Sequence, residues 1–423
     1  MAATIVTLSA ILKEFYAGPI AEQLNQEILV YELFEKATVD WSGKTVIIPV
    51  HVRRNLATGF AADGGALPAS ATDFEGYEKL TVTAKFLYGR FRITGPAIAS
   101  AKAGANSFIG YVDAEMNKLA EDVKTKANQA SIFGGEVVGY VWEKQNAATF
   151  QYSGRQIAQG LSVGVGNNAQ LVRLDTYATV GAATQVNAIT SDSIIFNAAI
   201  NTAAVPAGVP MAVVAVVGLV TSGASTEFSG ITTNLGSASH FGVDRTSATG
   251  TATELQSNHI TVSNGGVPVV LDAYQSLNLD RLQAGLDLIL QRSSEAPELL
   301  LMSPVMRQEY TSLLVGTAAS NLMVEAGSKS KTGDGGFTGL SFGGIPIRTS
   351  KDCFAGTIFF ISPKSWKLTE LEKPGFADLD GNILARSFGG GAMTDSYEGF
   401  YRIYSNIVCT RPNANLVLTG VDF

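Results

Sequence analysis

The feature that most restricts this chain is one long amphipathic helix set between strand-forming segments. Over residues 106–133, Phe108, Ile109, Val112, Met116, Leu119, Val123, Ala127 and Ala130 recur at i, i+3/i+4, i+7 spacing. Asp122 and Lys126 stand at i, i+4 on the wet face, and Gly134-Gly135 supplies a stop signal. At about 1.5 Å per residue the helix is a strut of roughly 40 Å.

The segments before it have a different period. Thr45–Val52 (TVIIPVHV) reads as an apolar, β-branched strand whose Pro49 suits an edge. A Gly/Ala-rich tip follows, then YEKLTVTAKFLYGRFRITG, in which Leu80, Val82 and Ala84 alternate with Thr81, Thr83 and Lys85. Together, residues 43–95 predict a projecting hairpin of about 50 residues, which is marginal alone in water and needs a surface to lie on. Residues 1–42 mix short helical pieces, interrupted at Gly18-Pro19, into an arm expected to lie on a neighbouring surface.

After the helix the material changes. Residues 151–270 hold eight charged residues in 120 and are dominated by Ala, Gly, Ser, Thr, Asn and Val, which predicts a β-rich inserted domain. Within it Ala203–Val220 approaches the length of a membrane span, but Pro206 and Pro210 interrupt it and basic anchors are missing. Paired buried strands fit better. Beyond 270 the pattern is mixed: a helix over LNLDRLQAGLDLILQRS, a short strand ELLLMS, and a helix capped by Ser303 and opened by Pro304. A loop (SKSKTGDGGFTG) and the strands GIPIRTS, TIFFISP, GFYRIYSNIVCT and NLVLTGV complete the chain.

Bulk composition bounds the function. Of the 423 residues only 16% are charged, against a usual share of roughly 25%, while 46% are apolar. So weakly solvated a surface invites burial against other chains. The net charge of −7 argues against a protein whose main work is neutralising phosphates. Cys353 and Cys409 are too few for a disulfide framework and fit synthesis in a reducing cytoplasm. The first residues show no basic n-region ahead of an apolar run, so no signal peptide is expected.

No catalytic constellation emerges. His51, His240 and His259 are far apart in sequence and far from a cysteine. GVGNNA at 164–169 fits a loose dinucleotide pattern, but a strand-like run follows where a helix is needed. Asp378 and Asp380 lack the further ligands of a calcium loop, so a turn is favoured. Neither an enzyme, a cofactor nor a metal is expected. Charge placement stands out instead: the hairpin carries Arg53, Arg54, Lys79, Lys85, Arg90 and Arg92 against Asp63, Asp73, Glu75 and Glu78. These are either a solvated strand face or candidate inter-subunit contacts that set register.

The order of parts resembles the major capsid proteins of tailed bacteriophages, which have the Hong Kong 97-type fold. The resemblance is carried by the arm, the hairpin, the long helix ending in SIFGG, and three late segments: PELLLMSPVMRQEYTSLL, LSFGGIPIRTSKDCFAGTIFFISPKSWKL and YEGFYRIYSNIVCTRPNANLVLTG. It implies an α+β fold with an N-terminal arm at 1–42, an extended hairpin loop at 43–95, and a peripheral domain with a spine helix at 96–150. The β-rich insertion at 151–270, an axial domain at 271–390 and return strands to the peripheral domain at 391–423 would follow. It further implies pentamers and hexamers closing into an icosahedral shell around double-stranded DNA, held without sequence specificity, and no membrane contact. The location would be the virion capsid, assembled in the host cytoplasm, with a separate scaffolding protein, a portal and a cement protein as partners. Some members of that family crosslink a hairpin Lys to an Asn of a neighbour, a pairing that would here fall to Lys79 or Lys85 and Asn406, against the ordinary reading of a solvated strand lysine. The alternatives are the shell protein of a bacterial nanocompartment and a surface-layer or adhesin-type protein.

Overall fold

A computed structural model describes residues 28–37, 41, 43–53, 60, 62–63, 65, 76–96, 111–132, 136–144, 146–152, 165–173, 179–190, 193–201, 211–215, 228–236, 239–245, 255–261, 277–317, 340–354, 356–378, 385–389, 392–419 and 421. Most of the arm, most of the hairpin tip and the loop at 318–339 lie outside the described residues.

The helices are α1 (Leu29–Leu33), α2 (Tyr111–Ile132), α3 (Ile231–Asn234), α4 (Leu279–Arg292) and α5 (Pro304–Thr317). The strands open with β1 (Glu35–Ala37), β2 (Thr45–Arg53), β3 (Gly76–Thr83) and β4 (Lys85–Thr94). After α2 come β5 (Glu136–Lys144), β6 (Thr149–Tyr152), β7 (Asn168–Arg173), β8 (Thr179–Ile189), β9 (Ser193–Phe196) and β10 (Met211–Ala215). The remainder are β11 (Asn258–Thr261), β12 (Leu299–Met302), β13 (Ser341–Phe342), β14 (Ile345–Thr349), β15 (Ile358–Ile361), β16 (Trp366–Phe376), β17 (Ala385–Gly389), β18 (Ala392–Cys409) and β19 (Leu416–Thr419).

The long helix finds its surface on a five-stranded sheet in which β18 pairs with β16, β17 and β4, and β1 adds to β16. Leu119, Val123 and Ala127 of α2 turn inward, as their spacing predicts. Helix and sheet approach closely at Gly89, where a Cβ would come 2.2 Å from Cγ2 of Val123 and 3.0 Å from Cδ1 of Leu119. Phe91 and Ile93 of β4 are buried on the same side.

A second, six-stranded sheet has the order β11-β19-β15-β12-β14-β13. One face (Leu300, Met302, Phe360, Leu416) packs on α4 and α5 through Leu282, Ile289, Met306 and Tyr310. The other (Leu299, Leu301, Phe359, Val417) joins the core that also buries α1 and α2. Strands covered on both faces read as unbroken apolar runs, which is why LLLM and IFFI do not alternate. Ser303 caps α5 as expected, its Oγ accepting the Met306 N–H at 3.3 Å.

The inserted material closes into a barrel, β10-β5-β6-β9-β8-β7, around Val141, Phe150, Leu171, Val186, Ile194 and Phe196. Its first strand starts at Glu136, upstream of the expected boundary at 151. Downstream, Phe228, Ile231 and Leu235 rejoin the main core, and β11 pairs with β19. Both parts are equally charge-poor, so composition could not separate them. Met211–Ala215, from the candidate membrane segment, is a strand between β5 and β7. Among the described residues no helix is long and apolar enough to cross a membrane.

Two more boundaries move. The run read as one strand set breaks at Ala84, whose N–H bonds the Lys44 carbonyl at 3.0 Å; β3 stays with β2, while β4 pairs along β18. The chain also passes between the two large sheets near its end: β16 lies beside β18, and β19 returns to the six-stranded sheet.

Candidate assembly surface

The hairpin base has two unlike faces because its residues alternate. Val46, Ile48, Val52, Leu80 and Val82 point inward and pack on Val243, Leu255 and Val408. The surface that a lone hairpin needs is thus supplied at its base by the same chain. A tight loop builds that floor: Phe241 lies in the left-handed region (φ 46), followed by Gly242 (φ 93), and the Phe241 carbonyl accepts the Thr81 N–H at 3.0 Å. His240 Nε2 donates to the Cys409 carbonyl at 2.7 Å, and His259 Nε2 to that of Leu235. The buried Arg245 donates to the Asn234 carbonyl at 2.7 Å. Burial, with Arg245 close by, pulls His240 down to about 4.

The outer face stays open. Ile47 is 57% and Tyr77 66% exposed, with the Tyr77 ring 5.0 Å from that of His51, and Lys79 is exposed between them. Further along, β4 presents Phe86 and Tyr88, 48% and 55% exposed, beside Phe400 and Tyr404 of β18. Phe86 and Tyr88 meet Tyr404 edge-on at 5.1 and 5.7 Å, and the Arg402 guanidinium sits 5.4 Å over its ring. Arg402 also pairs with Glu372. This aromatic patch went unnoticed in the sequence, although the alternation in KFLYGRFR and YRIY carries its signal.

The six candidate contact residues do not act as one group. Lys79 belongs to the open face; Lys85 is half-buried, and burial lowers its pKa below the ordinary lysine value. Arg90 and Arg92 both reach Glu398 of their own chain, at 2.5 and 3.6 Å, and Arg92 Nε donates to Ser396 Oγ at 2.9 Å. Arg53 ends β2 with its side chain outside the described residues, and Arg54 lies outside them altogether. Asn406 is not placed for a crosslink. It is buried, its Nδ2 donates to the Thr83 carbonyl at 2.8 Å, and its Oδ1 accepts from Ser229 and Ile407, each at 2.9 Å.

The GVGNNA run passes through a turn at 165–166 into β7, a strand where a dinucleotide site has a helix. Among the described residues no group of three or more His, Cys, Asp and Glu is placed to hold a metal ion.

No family model matches the sequence, and no curated protein matches it. Solved structures do. The chain superposes on a chain of the cyanophage A-1(L) capsid asymmetric unit with a TM-score of 0.60 at 11% identity, covering 99% of each. This is a phage capsid fold. A capsid chain of a native GTA particle matches at TM-score 0.51 and 10% identity, and one from Mycobacterium phage Bobi at 0.50 and 11%, each covering 100% of both chains. At such identities the likeness is one of fold. The capsid fold accounts for the mixed α and β build anticipated from the Hong Kong 97-type resemblance.

Proposed function

We propose that this chain is a structural capsid subunit, not an enzyme, and that copies of it assemble as pentamers and hexamers into an icosahedral shell around double-stranded DNA. One observation carries the reading: end-to-end agreement in fold with the cyanophage capsid chain, 99% of each covered. The chemistry of the surface supports it. A charge-poor chain exposes Ile47, Tyr77, Phe86 and Tyr88 on two strand faces, and apolar and aromatic groups of this kind form the buried centre of protein interfaces. The −7 net charge suits a container that holds DNA without gripping it. A separate scaffolding protein and a portal are the partners of such a shell, with a cement protein as an optional addition, the virion capsid its location, and the host cytoplasm its place of assembly.

Deletion of residues 56–76 tests this. It should leave a folded subunit, since the β2–β3 base rests on its own floor, yet one that fails to form stable shells. Unchanged assembly would refute the hairpin's role. Nuclease-protected DNA in particles made in cells is expected; shells holding only a protein cargo would favour a nanocompartment instead.

A further inference from the structure

Strand β14 lies between β12 and β13 in the six-stranded sheet. β13 pairs with Ile345 and Pro346, and the Ile347 N–H reaches the Leu340 carbonyl at 2.9 Å. Backbone polar groups alternate sides along a strand, so Thr349 turns its N–H and C=O to the same edge as Ile347. The Ser350 N–H goes the other way, to the Met302 carbonyl at 3.1 Å. Among the described residues no strand pairs with that edge at Thr349. An open edge is a template for a further strand.

A cleft of 540 Å³ opens at the same place, and more of its lining is polar than apolar. Ile347 and Arg348 both line it; being consecutive, they leave opposite faces of the sheet, so the cleft wraps the edge of the strand. On the Ile347 face stands α5, with Arg307. On the Arg348 face stands α1, with Leu29 and Glu32. Each face of the edge thus carries one exposed guanidinium, and neither makes an ion pair among the described residues. Two positive charges stand against one negative, on a chain of net charge −7.

A charge on an open edge also keeps stray strands from adding to it. That accounts for Arg348 and leaves Arg307, which comes from a helix, without a role. Duplex DNA is a poor fit, since phosphate binding recruits many cations at once and Glu32 repels it. A strand that adds to the edge suits both arginines. Its successive side chains turn to opposite faces, so two adjacent carboxylates meet the two forks, one on each side. The half-buried Leu29 and Ile347 can take an apolar neighbour.

We propose that this edge binds an extended acidic peptide, its main chain pairing at Thr349 and its adjacent carboxylates bonding Arg348 and Arg307. The binding needs no assembled shell and stands apart from the capsid reading.

Fluorescence anisotropy with the unassembled full chain and a labelled Glu-Glu-Leu-Glu-Glu peptide tests it. Saturable binding is expected. It should be at least about tenfold weaker for Gln-Gln-Leu-Gln-Gln and for the Arg307→Glu/Arg348→Glu variant, one order in affinity. Glu32→Gln, which removes the one acid of the lining, should tighten it. Hydrogen exchange at the Thr349 amide should slow when the peptide is bound. No saturable binding, or binding indifferent to the double reversal, would overturn the proposal. Exchange at Thr349 that the peptide leaves unchanged would overturn the strand pairing. A labelled DNA duplex that binds where the peptide does not, and is lost in the double variant, would give the arginines to phosphates instead. Subunit dimers that the peptide dissolves and the double variant abolishes would name a second copy as the source of the segment; binding to a monomer would name a separate protein.

Discussion

The side chain of Asn128, inside α2, accepts the backbone N–H of Val30 through Oδ1 at 2.7 Å. The Tyr31 N–H reaches the same oxygen at 3.1 Å, so Asn128 caps α1, whose own N-cap residue Ile28 makes no side-chain bond. Its Nδ2 donates to Asp352 Oδ2 at 2.9 Å, in the turn after β14. α1, α2 and the turn after β14 thus meet on one buried amide.

Replacing Asn128 by Ala orphans two buried donors and one acceptor. At about 1–3 kcal/mol per unsatisfied buried group, the three orphaned groups should cost the unassembled subunit at least about 3 kcal/mol. Urea unfolding should show this as a lower midpoint at unchanged slope. A loss under about 0.5 kcal/mol would mean the cap is dispensable.

Gly89 sets the distance between α2 and β4. Gly89→Ala should cost about 1–3 kcal/mol by overpacking, because the new methyl meets Val123. Adding Val123→Ala should recover part of that loss, and the thermal midpoints of the double-mutant cycle read the coupling.

The floor beneath the hairpin should be acid-sensitive. Burial, with Arg245 beside it, holds His240 down at about 4, and burial lowers His259 as well. An unfolded histidine takes its proton near pH 6.5, so between about 6.5 and 4 the unfolded chain binds more protons and stability falls as pH falls. Hydrogen exchange at the Thr81 amide, corrected for intrinsic rate, should quicken over that window. Replacement of His240 by Gln, whose amide can still donate to the Cys409 carbonyl, should flatten the dependence.

Assembled particles boiled in detergent should run as single chains. Asn406 spends its amide on Thr83, Ser229 and Ile407 and has none left for a neighbour's lysine. A ladder of covalent oligomers on a reducing gel would contradict this. Asn406→Ala should lower subunit stability and leave the gel pattern alone.

Local signals were legible and long-range ones were not. The stripe Leu119–Val123–Ala127, the Ser303 cap and the alternating faces of β2 and β3 follow from period and capping chemistry, which act within a few residues. The break at Ala84 was hidden because alternation runs unbroken through it, and only pairing with β18, some 300 residues away, separates β4 from β3. Glu398 as the acid for Arg90 and Arg92 is hidden for the same reason. Arg245 ran against expectation, since a buried arginine is rare and this one serves backbone carbonyls in a segment read as inserted. Of the candidate contacts, the open face around Lys79 was visible in the pattern; the aromatic patch on β4 and β18 needed both strands side by side.

Electron microscopy of the purified, concentrated protein, alone and beside a scaffolding protein, tests the central claim most directly. Rings of five or six subunits and closed shells are the predicted result. Monodisperse monomers under every salt condition, with no rings or shells even beside a scaffolding protein, would contradict it.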